Sequence, residues 1–188
     1  RTEGYKMAFL ERITSTNAPA ATVLIRLVVG AVFLSEGIQK FIFPEVVGAG
    51  RFAKIPIASA ETVAPVIGSI ETICGILLIA GLLTRLAALP LIAIMLTAIF
   101  TTKIPILLGF PILGFSLRTV PYYGIWGFMH ESRTDLAMLF GSLFLFIVGA
   151  GRISIDSIIS GRVKQDEPGT TVQERSDHPA STSPSSLP

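Results

Sequence analysis

Charged residues, cysteines and histidines are all scarce in this sequence. Asp, Glu, Lys and Arg make up 15% of its 188 residues, against about 25% in ordinary soluble domains. The one cysteine, Cys74, excludes an internal disulfide and a CxxC redox pair. The two histidines, His130 and His178, do not form a pair inside a hydrophobic run that could ligate a haem from both sides. A formal net charge of +2, with no dense basic patch, excludes a nucleic-acid-binding protein.

The sequence also lacks the common catalytic and nucleotide-binding motifs. It has no GxGxxG or Walker loop, and no serine lies in a GxSxG elbow. No cluster of His, Cys and Asp has the spacing of metal ligands, so we expect no metal site. These absences exclude a self-sufficient active site of the kind found in soluble enzymes.

Long hydrophobic runs dominate what is present. Hydrophobic residues make up 51% of the chain and the mean hydropathy is +0.67, which is too apolar for a soluble domain and predicts a protein embedded in a lipid bilayer. About 20 helical residues cross a hydrocarbon core about 30 Å thick. The pattern predicts an all-α fold, an integral membrane four-helix bundle with helices over residues 20–43, 62–83, 86–102 and 136–151.

The two ends differ in composition from this transmembrane domain of residues 20–160. Residues 1–19 form a polar N-terminal segment. Residues 161–188 are rich in Ser, Thr, Pro, Asp and Glu. They predict a disordered C-terminal tail, because they cannot bury enough apolar surface to offset the entropy of ordering.

The stretch before the last predicted helix, residues 104–133, is apolar but interrupted by prolines and glycines. Irregular backbone exposed to lipid is costly, because its amides have no hydrogen-bond partners there. We therefore expect an interfacial or re-entrant segment, with Tyr122, Tyr123 and Trp126 at headgroup level. A fifth span is the alternative.

The distribution of Lys and Arg predicts the orientation in the membrane. If both termini lie on one side, that side carries nine of the 15 basic residues and the other side carries six. By the positive-inside rule, both termini are then cytoplasmic.

Charged side chains lie inside the first two predicted helices. The first contains Arg26, Glu36 and Lys40, and the second contains Glu71. Such residues usually face a partner or a cavity. From the helical rise, Glu36 and Glu71 lie roughly 10 and 13 Å from the same membrane face. The sequence thus predicts an intramembrane polar pocket, although ion pairing that only holds the helices together is an equal alternative.

Small residues accompany these charges at helical spacing. Gly37 shares a face with Lys40, and Gly75 shares one with Glu71. Small residues on such a face leave room for a neighbouring helix or for a ligand ring. Basic residues near the predicted helix ends, such as Arg85 and Lys103, are expected to extend toward water.

Four segments, in this order, carry a resemblance to a known family. They are Leu24-Ile25-Arg26-Leu27-Val28-Val29-Gly30 with Phe33, Gly37 and Lys40; Glu71 and Gly75 with Gly81-Leu82-Leu83-Thr84-Arg85; Asp135-Leu136-Ala137; and Gly149-Ala150-Gly151-Arg152. Over residues 20–160 the sequence resembles the DoxX family of four-helix bacterial membrane proteins. The stretch before the last helix is longer here than in many relatives.

The resemblance implies a protein of the bacterial cytoplasmic (inner) membrane linked to quinone redox chemistry, an accessory subunit that a redox-enzyme partner supplies with electrons. No covalently bound cofactor is implied, and a quinone is the expected ligand. The matching polar positions are Arg26, Glu36, Lys40, Glu71 and Arg85. Lys40 would donate a hydrogen bond to a quinone oxygen, Glu36 or Glu71 would exchange the proton, and Gly37 and Gly75 would admit the ring.

Two other functions agree with the same residues. A non-enzymatic scaffold or assembly partner of a redox enzyme would use the charges for packing alone. A small transporter would require an oligomer, because four helices hardly enclose a pathway. The sequence does not separate these alternatives and gives no oligomeric state.

Overall fold

A computed structural model describes residues 18–53 and 59–165. The predictions for residues 1–17 and 166–188 lie outside the described residues. The described part is helical apart from its connections and one isolated β-bridge, between Ile112 and Phe115. Its elements are α1 (Thr22–Ile42), α2 (Ala49–Phe52), α3 (Ala60–Ala80), α4 (Thr84–Ala98), a π-helical turn (Ile99–Lys103), α5 (Ile104–Leu108), α6 (Ile125–Val148) and α7 (Ile155–Gln165).

Three helical segments are long and apolar enough to cross a membrane: Thr22–Ile42, Ala60–Ala80 and Thr84–Leu108. The third combines α4, the π-helical turn and α5 into 25 residues. The protein is therefore an all-helical membrane protein. The 24-residue helix α6 is as long as these segments, but its first half carries charged residues.

The structure corrects the predicted start of the last long helix. It begins at Ile125 rather than at residue 136, because the polar stretch from His130 to Asp135 is helical and places its charges against other parts of the protein. The stretch of residues 104–133 is thus divided among α5, an irregular segment of residues 109–124 and the start of α6. No helix forms in residues 109–124, so this part supplies no fifth span.

The other helix bounds follow from local backbone chemistry. The helix α1 ends just before Pro44, where the residue before proline is disfavoured in helical conformation. Gly81 takes a left-handed conformation at the end of α3. The turn that follows lets α4 begin at Thr84. Helix α7 continues to Gln165, so the predicted tail boundary at residue 161 is too early.

Helices α1 and α3 are antiparallel and pack closely through paired glycines. A Cβ atom on Gly30 would lie 2.9 Å from the carbonyl oxygen of Gly75, and one on Gly75 would lie 2.9 Å from the carbonyl oxygen of Gly30. Gly37 and Gly68 are paired in the same way about two helical turns further along α1. Small residues therefore let the two backbones approach, as in other membrane helix pairs.

The core lies where α1, α3, α4 and α6 meet. It is formed by apolar residues from all four helices: Val29, Phe33, Cys74, Leu78, Ala87, Leu91, Met138 and Leu145. The buried Cys74 is thus a small core residue. This core fills the middle of the helices and leaves the polar groups at their two ends.

The π-helical turn of Ile99–Lys103 has a local cause. Pro105 follows it and has no amide hydrogen for the carbonyl oxygen of Thr101, four residues earlier, so the regular α-helical bonding is interrupted. The hydroxyl groups of Thr101 and Thr102 donate to the carbonyl oxygens of Thr97 and Ala98, at 2.8 and 2.6 Å. Such turns are frequent at functional sites, and this one widens the helix beside a cavity.

Candidate functional site

A cavity of about 540 Å³ lies among the long helices at one end of the protein. This is the end at which α1 finishes, α3 starts, the π-helical turn lies and α6 starts. Four basic and four acidic side chains line the cavity: Lys40, Arg51, Lys103 and Arg118, with Glu36, Glu71, Glu131 and Asp135. Eight charges in a cavity between apolar helices make it the candidate site.

Lys40 connects α1 to α3 at the inner part of this cavity. Its Nζ atom donates to Oε2 of Glu71 at 2.5 Å and to the carbonyl oxygen of Glu36 at 3.3 Å. The Lys40 and Glu71 side chains are only 9% and 4% exposed, whereas that of Glu36 is 47% exposed. The Glu36 carboxylate lies 3.9 Å from the Lys40 ammonium. Lys40 and Glu71 therefore form a closed pair, and the Glu36 carboxylate stays accessible.

Lys103 forms a second buried pair at the other side of the cavity. Its Nζ atom donates to the carbonyl oxygen of Glu131 at 2.7 Å and lies 3.2 Å from Oδ2 of Asp135. The expectation that Lys103 extends toward water is wrong, since its side chain is 8% exposed. The π-helical turn aims it inward, toward α6.

The irregular segment of residues 109–124 contributes a third pair. Nη1 of Arg118 lies 3.4 Å from Oε2 of Glu131. The segment begins and ends at glycines in left-handed conformations, Gly109 and Gly124, and the amide of Gly124 donates to the carbonyl oxygen of Ile106. The segment is thus held to α5 by Gly124 at its end and to α6 by Arg118 in its middle.

The cavity also has an apolar side. Apolar residues of α1, α4 and α6 line it below the charged groups, namely Val32, Phe33, Ala93, Ile94, Met95 and Met138. A ligand that fits this lining has a polar group and an apolar body, as membrane-dissolved molecules have. The combination of an apolar wall and a few polar groups is typical of small-molecule sites.

The structure brings together three of the five charged residues named from the sequence. Glu36, Lys40 and Glu71 line the cavity and lie in contact, whereas Arg26 and Arg85 are not among its lining residues. Arg85 lies in the first turn of α4, where its Nη2 donates to the carbonyl oxygen of Ile147 at 3.4 Å. Arg26 and Arg85 are therefore not part of the cavity, because both lie at the opposite end of the helices.

Arg26 belongs to a separate polar cluster at that opposite end. Its Nη1 atom donates to the carbonyl oxygen of Ala150 at 2.7 Å, and the residue is 3% exposed. Nearby, the Asp156 carboxylate accepts from the amides of Leu83 and Thr84 at 2.8 and 3.0 Å. Asp156 thereby caps the start of α4, a stabilising position for an acidic side chain. This cluster ties α1, α4 and α7 together.

The structure also places Gly37 and Gly75 outside the cavity lining. A Cβ atom on Gly37 would lie 2.7 Å from the carbonyl oxygen of Gly68, and one on Gly75 would lie 2.7 Å from the amide nitrogen of Leu34. The space beside each glycine is filled by the backbone of the neighbouring helix. These glycines accommodate a helix rather than a ligand ring.

The outer half of the cavity follows from the sequence only in part. The predicted spans place Lys103, Glu131 and Asp135 at the mouth of the membrane side on which Glu36 and Glu71 lie, and the structure brings these three residues together. Glu131 and Asp135 are four residues apart, on one helical face, although the predicted helix starts after both. Arg51 is not a predicted site residue, because it lies outside the predicted helices. Among the described residues, no group of three or more His, Cys, Asp and Glu side chains could hold a metal ion.

The fold and the cavity define a helical membrane protein with a charged ligand-sized cavity at one end of its helices. Comparison with known sequences shows which family of membrane proteins the chain matches. The model of the DoxX family matches residues 21–104. An uncharacterised membrane protein of Mycobacterium tuberculosis is 45% identical over 151 residues, which cover 80% of this chain and 88% of that relative. The chain belongs to the DoxX family. No solved structure matches it significantly.

Proposed function

We propose that α6 is a fourth membrane span and that both termini are cytoplasmic, in the inner membrane of a bacterium. Its 24 residues extend about 36 Å, enough to cross a bilayer. Two of its charged residues, Glu131 and Asp135, face Arg118 and Lys103 rather than lipid, which lowers the cost of placing them at membrane depth. In this orientation the cavity lies beneath the outer membrane face.

A cysteine-labelling experiment tests this topology. In a Cys74→Ser background, Leu113→Cys places a thiol in the segment of residues 109–124, where Leu113 is 76% exposed. We expect a membrane-impermeant maleimide to label it in intact spheroplasts. Arg152→Cys, an exposed position at the opposite end, should be labelled only after permeabilisation. Labelling of both positions from the same side would show that α6 does not cross the membrane.

We propose that the protein is a quinone-binding subunit of a membrane redox complex and that its cavity receives the quinone head. The observation that carries this proposal is the cavity itself, in which Glu36, Lys40 and Glu71 meet beside an apolar wall. Its volume lies within the roughly 300–1,000 Å³ usual for small-molecule sites. Because the sequence has no motif for a redox cofactor, electrons would come from a partner enzyme.

The residues present fit a quinone head. A quinone offers two carbonyl oxygens as acceptors, and the cavity supplies lysine and arginine donors. Glu36 is the better candidate for proton exchange, because its carboxylate is accessible whereas that of Glu71 is closed against Lys40. Lys40 would position both carboxylates. A bound quinone would supply the electron-transfer chemistry, and these side chains would orient it and exchange its protons.

Quinone analysis of the purified protein tests this proposal. Protein solubilised from its own membranes in mild detergent should retain quinone in the extracted lipid, several-fold enriched over an unrelated membrane protein from the same cells. The double variant Lys40→Met with Glu71→Leu should lose most of this enrichment, because Glu36 loses the lysine that positions it and the inner part of the cavity becomes apolar. The matched control Arg152→Gln, at the far end of the helices, should keep it. Wild-type protein without enrichment would contradict quinone binding.

A non-enzymatic scaffold is the second candidate, and one observation favours it. The two pairs Lys40–Glu71 and Lys103–Asp135 are closed within the protein, as charges that only join helices would be. A scaffold would co-purify with a redox enzyme without carrying quinone. Its cellular function would also tolerate Glu36→Gln, which leaves the buried pairs intact.

A further inference from the structure

The charges that line the cavity divide into two kinds. Six of the eight belong to ion pairs within the protein: Lys40 with Glu71, Lys103 with Asp135, and Arg118 with Glu131. The charges of the Lys40 and Lys103 pairs largely cancel inside the cavity, whereas the Arg118 side chain is 65% exposed and lies at its outer part. The remaining two, Glu36 and Arg51, are different.

Among the described residues, the guanidinium of Arg51 makes no hydrogen bond or ion pair. Arg51 lies in the short helix α2, which packs on α3. It lies close enough to Glu71 for an electrostatic interaction with that carboxylate. Arg51 lines the cavity, and among the residues that the structure describes its five N–H donors have no acceptor.

The carboxylate of Glu36 is the complementary group. Within the described part of the chain it accepts no hydrogen bond, and the ammonium of Lys40, at 3.9 Å, is beyond hydrogen-bonding distance. Lys40 is directed instead at Glu71 and at the backbone oxygen of Glu36. The Glu36 carboxylate thus has lone pairs available for a donor that enters the cavity.

Three of the cavity's hydroxyl groups do not replace Arg51 as a donor. Thr97, Thr101 and Thr102 line the cavity on the side of α4 and the π-helical turn, but each donates its hydroxyl proton to a carbonyl oxygen of its own helix, at 2.6 to 2.8 Å. They can accept a hydrogen bond from a ligand but have no proton left to donate. On this side of the cavity, an acceptor group on a ligand therefore depends on a cationic side chain.

We infer that Arg51 and Glu36 are the two charges that the cavity presents to its ligand, and that they select a molecule bearing both an acceptor and a donor group. This inference rests on the proposed function and specifies its ligand. A quinol meets the requirement, because one hydroxyl donates to Glu36 while the other oxygen accepts from Arg51. An oxidised quinone offers acceptors alone, so it forms no hydrogen bond with the Glu36 carboxylate and takes the place of water that could donate to it.

Direct binding measurements test the inference with two probes of one size, duroquinol and duroquinone. The full-length protein in nanodiscs is titrated with each probe under anaerobic conditions. We expect wild-type protein to bind the quinol roughly tenfold more tightly than the quinone, the usual scale for one hydrogen bond to a charged group. Arg51→Gln should weaken binding of both probes by a similar factor. Arg51→Lys should recover only part of the loss, because it lacks the guanidinium fork.

The variant Glu36→Gln tests the second group. It is read out by the ratio of the quinol and quinone affinities, which would not change if Glu36 had only a structural role. An amide can donate as well as accept, so this variant should bind quinone at least as tightly as wild type and bring the ratio of the two affinities close to one. The control Arg152→Gln should keep both affinities. Equal binding by wild type, Arg51→Gln and Glu36→Gln would overturn the inference and leave quinone binding intact. A wild-type protein that binds neither probe would overturn the proposed function, and the inference with it.

Discussion

Replacing Glu71 by alanine should lower the free energy of unfolding by about 3–5 kcal/mol, the usual cost of leaving a buried charge without its partner. The Lys40 ammonium, in a side chain 9% exposed, would keep only the more distant Glu36 carboxylate at 3.9 Å. Reversible unfolding by dodecyl sulfate in mixed micelles measures the difference. We expect it to be the largest loss from any single substitution in the cavity.

Two matched variants distinguish the effect of leaving the Lys40 charge unpaired from a general loss of stability caused by a substitution in the cavity. Glu36→Ala removes a carboxylate from the same cavity, but its side chain is 47% exposed, so the expected loss is about 1 kcal/mol or less. Lys40→Met combined with Glu71→Leu removes both members of the buried pair and should recover most of the stability, because apolar replacements of a buried pair are often neutral. Equal losses for Glu71→Ala and Glu36→Ala would show that Lys40 does not depend on Glu71.

Replacing Gly37 by alanine should cost about 1–3 kcal/mol, and replacement by leucine should prevent folding, because the added atoms have no space. A Cβ atom there would lie 2.7 Å from the carbonyl oxygen of Gly68, which belongs to a helix backbone and cannot turn aside. The helices α1 and α3 would have to separate. Lys40, three residues further along α1, would then move away from Glu71.

The same unfolding measurement, combined with the fraction of monodisperse protein after purification, reports this effect. Ala31→Leu is the matched control, because Ala31 lies on the exposed side of the same helix and its larger side chain would extend into lipid. We expect it to leave stability almost unchanged. If Gly37→Leu behaved like Ala31→Leu, the close approach of α1 and α3 would be refuted.

Much of the fold follows from hydropathy. The first three predicted helices agree with the structure within a few residues at most ends, because proline and glycine mark their bounds. The predicted start of α6 does not agree with the structure. The residues from His130 to Asp135 are polar, so a search for long apolar runs does not include them in a helix. The helicity of that stretch depends on contacts with Lys103 and Arg118, which are distant in sequence.

The sequence predicts the part of the candidate site that lies on regular helices, because helical spacing and the distance from the helix end together give the position of each side chain. It does not predict the rest of the site. Glu36, Lys40 and Glu71 could be placed at one level because two regular helices carry them. Arg26 is also a charged residue inside the first helix, but it lies near the start of α1, at the end opposite to the cavity, and it donates to Ala150 there. Arg51 lines the cavity because of the path that the chain takes between α1 and α3. The helical spacing of apolar residues does not predict that path.

The cluster of Arg26 and Asp156 has a consequence for what one copy of the protein can do. Between that cluster and the cavity, the fully buried side chains of Phe33, Leu78 and Leu91 fill the centre of the helices. Within the described part of the chain, these side chains separate the cavity from the opposite end of the helices. Transport of a solute from one end to the other would therefore require a passage between copies of the protein.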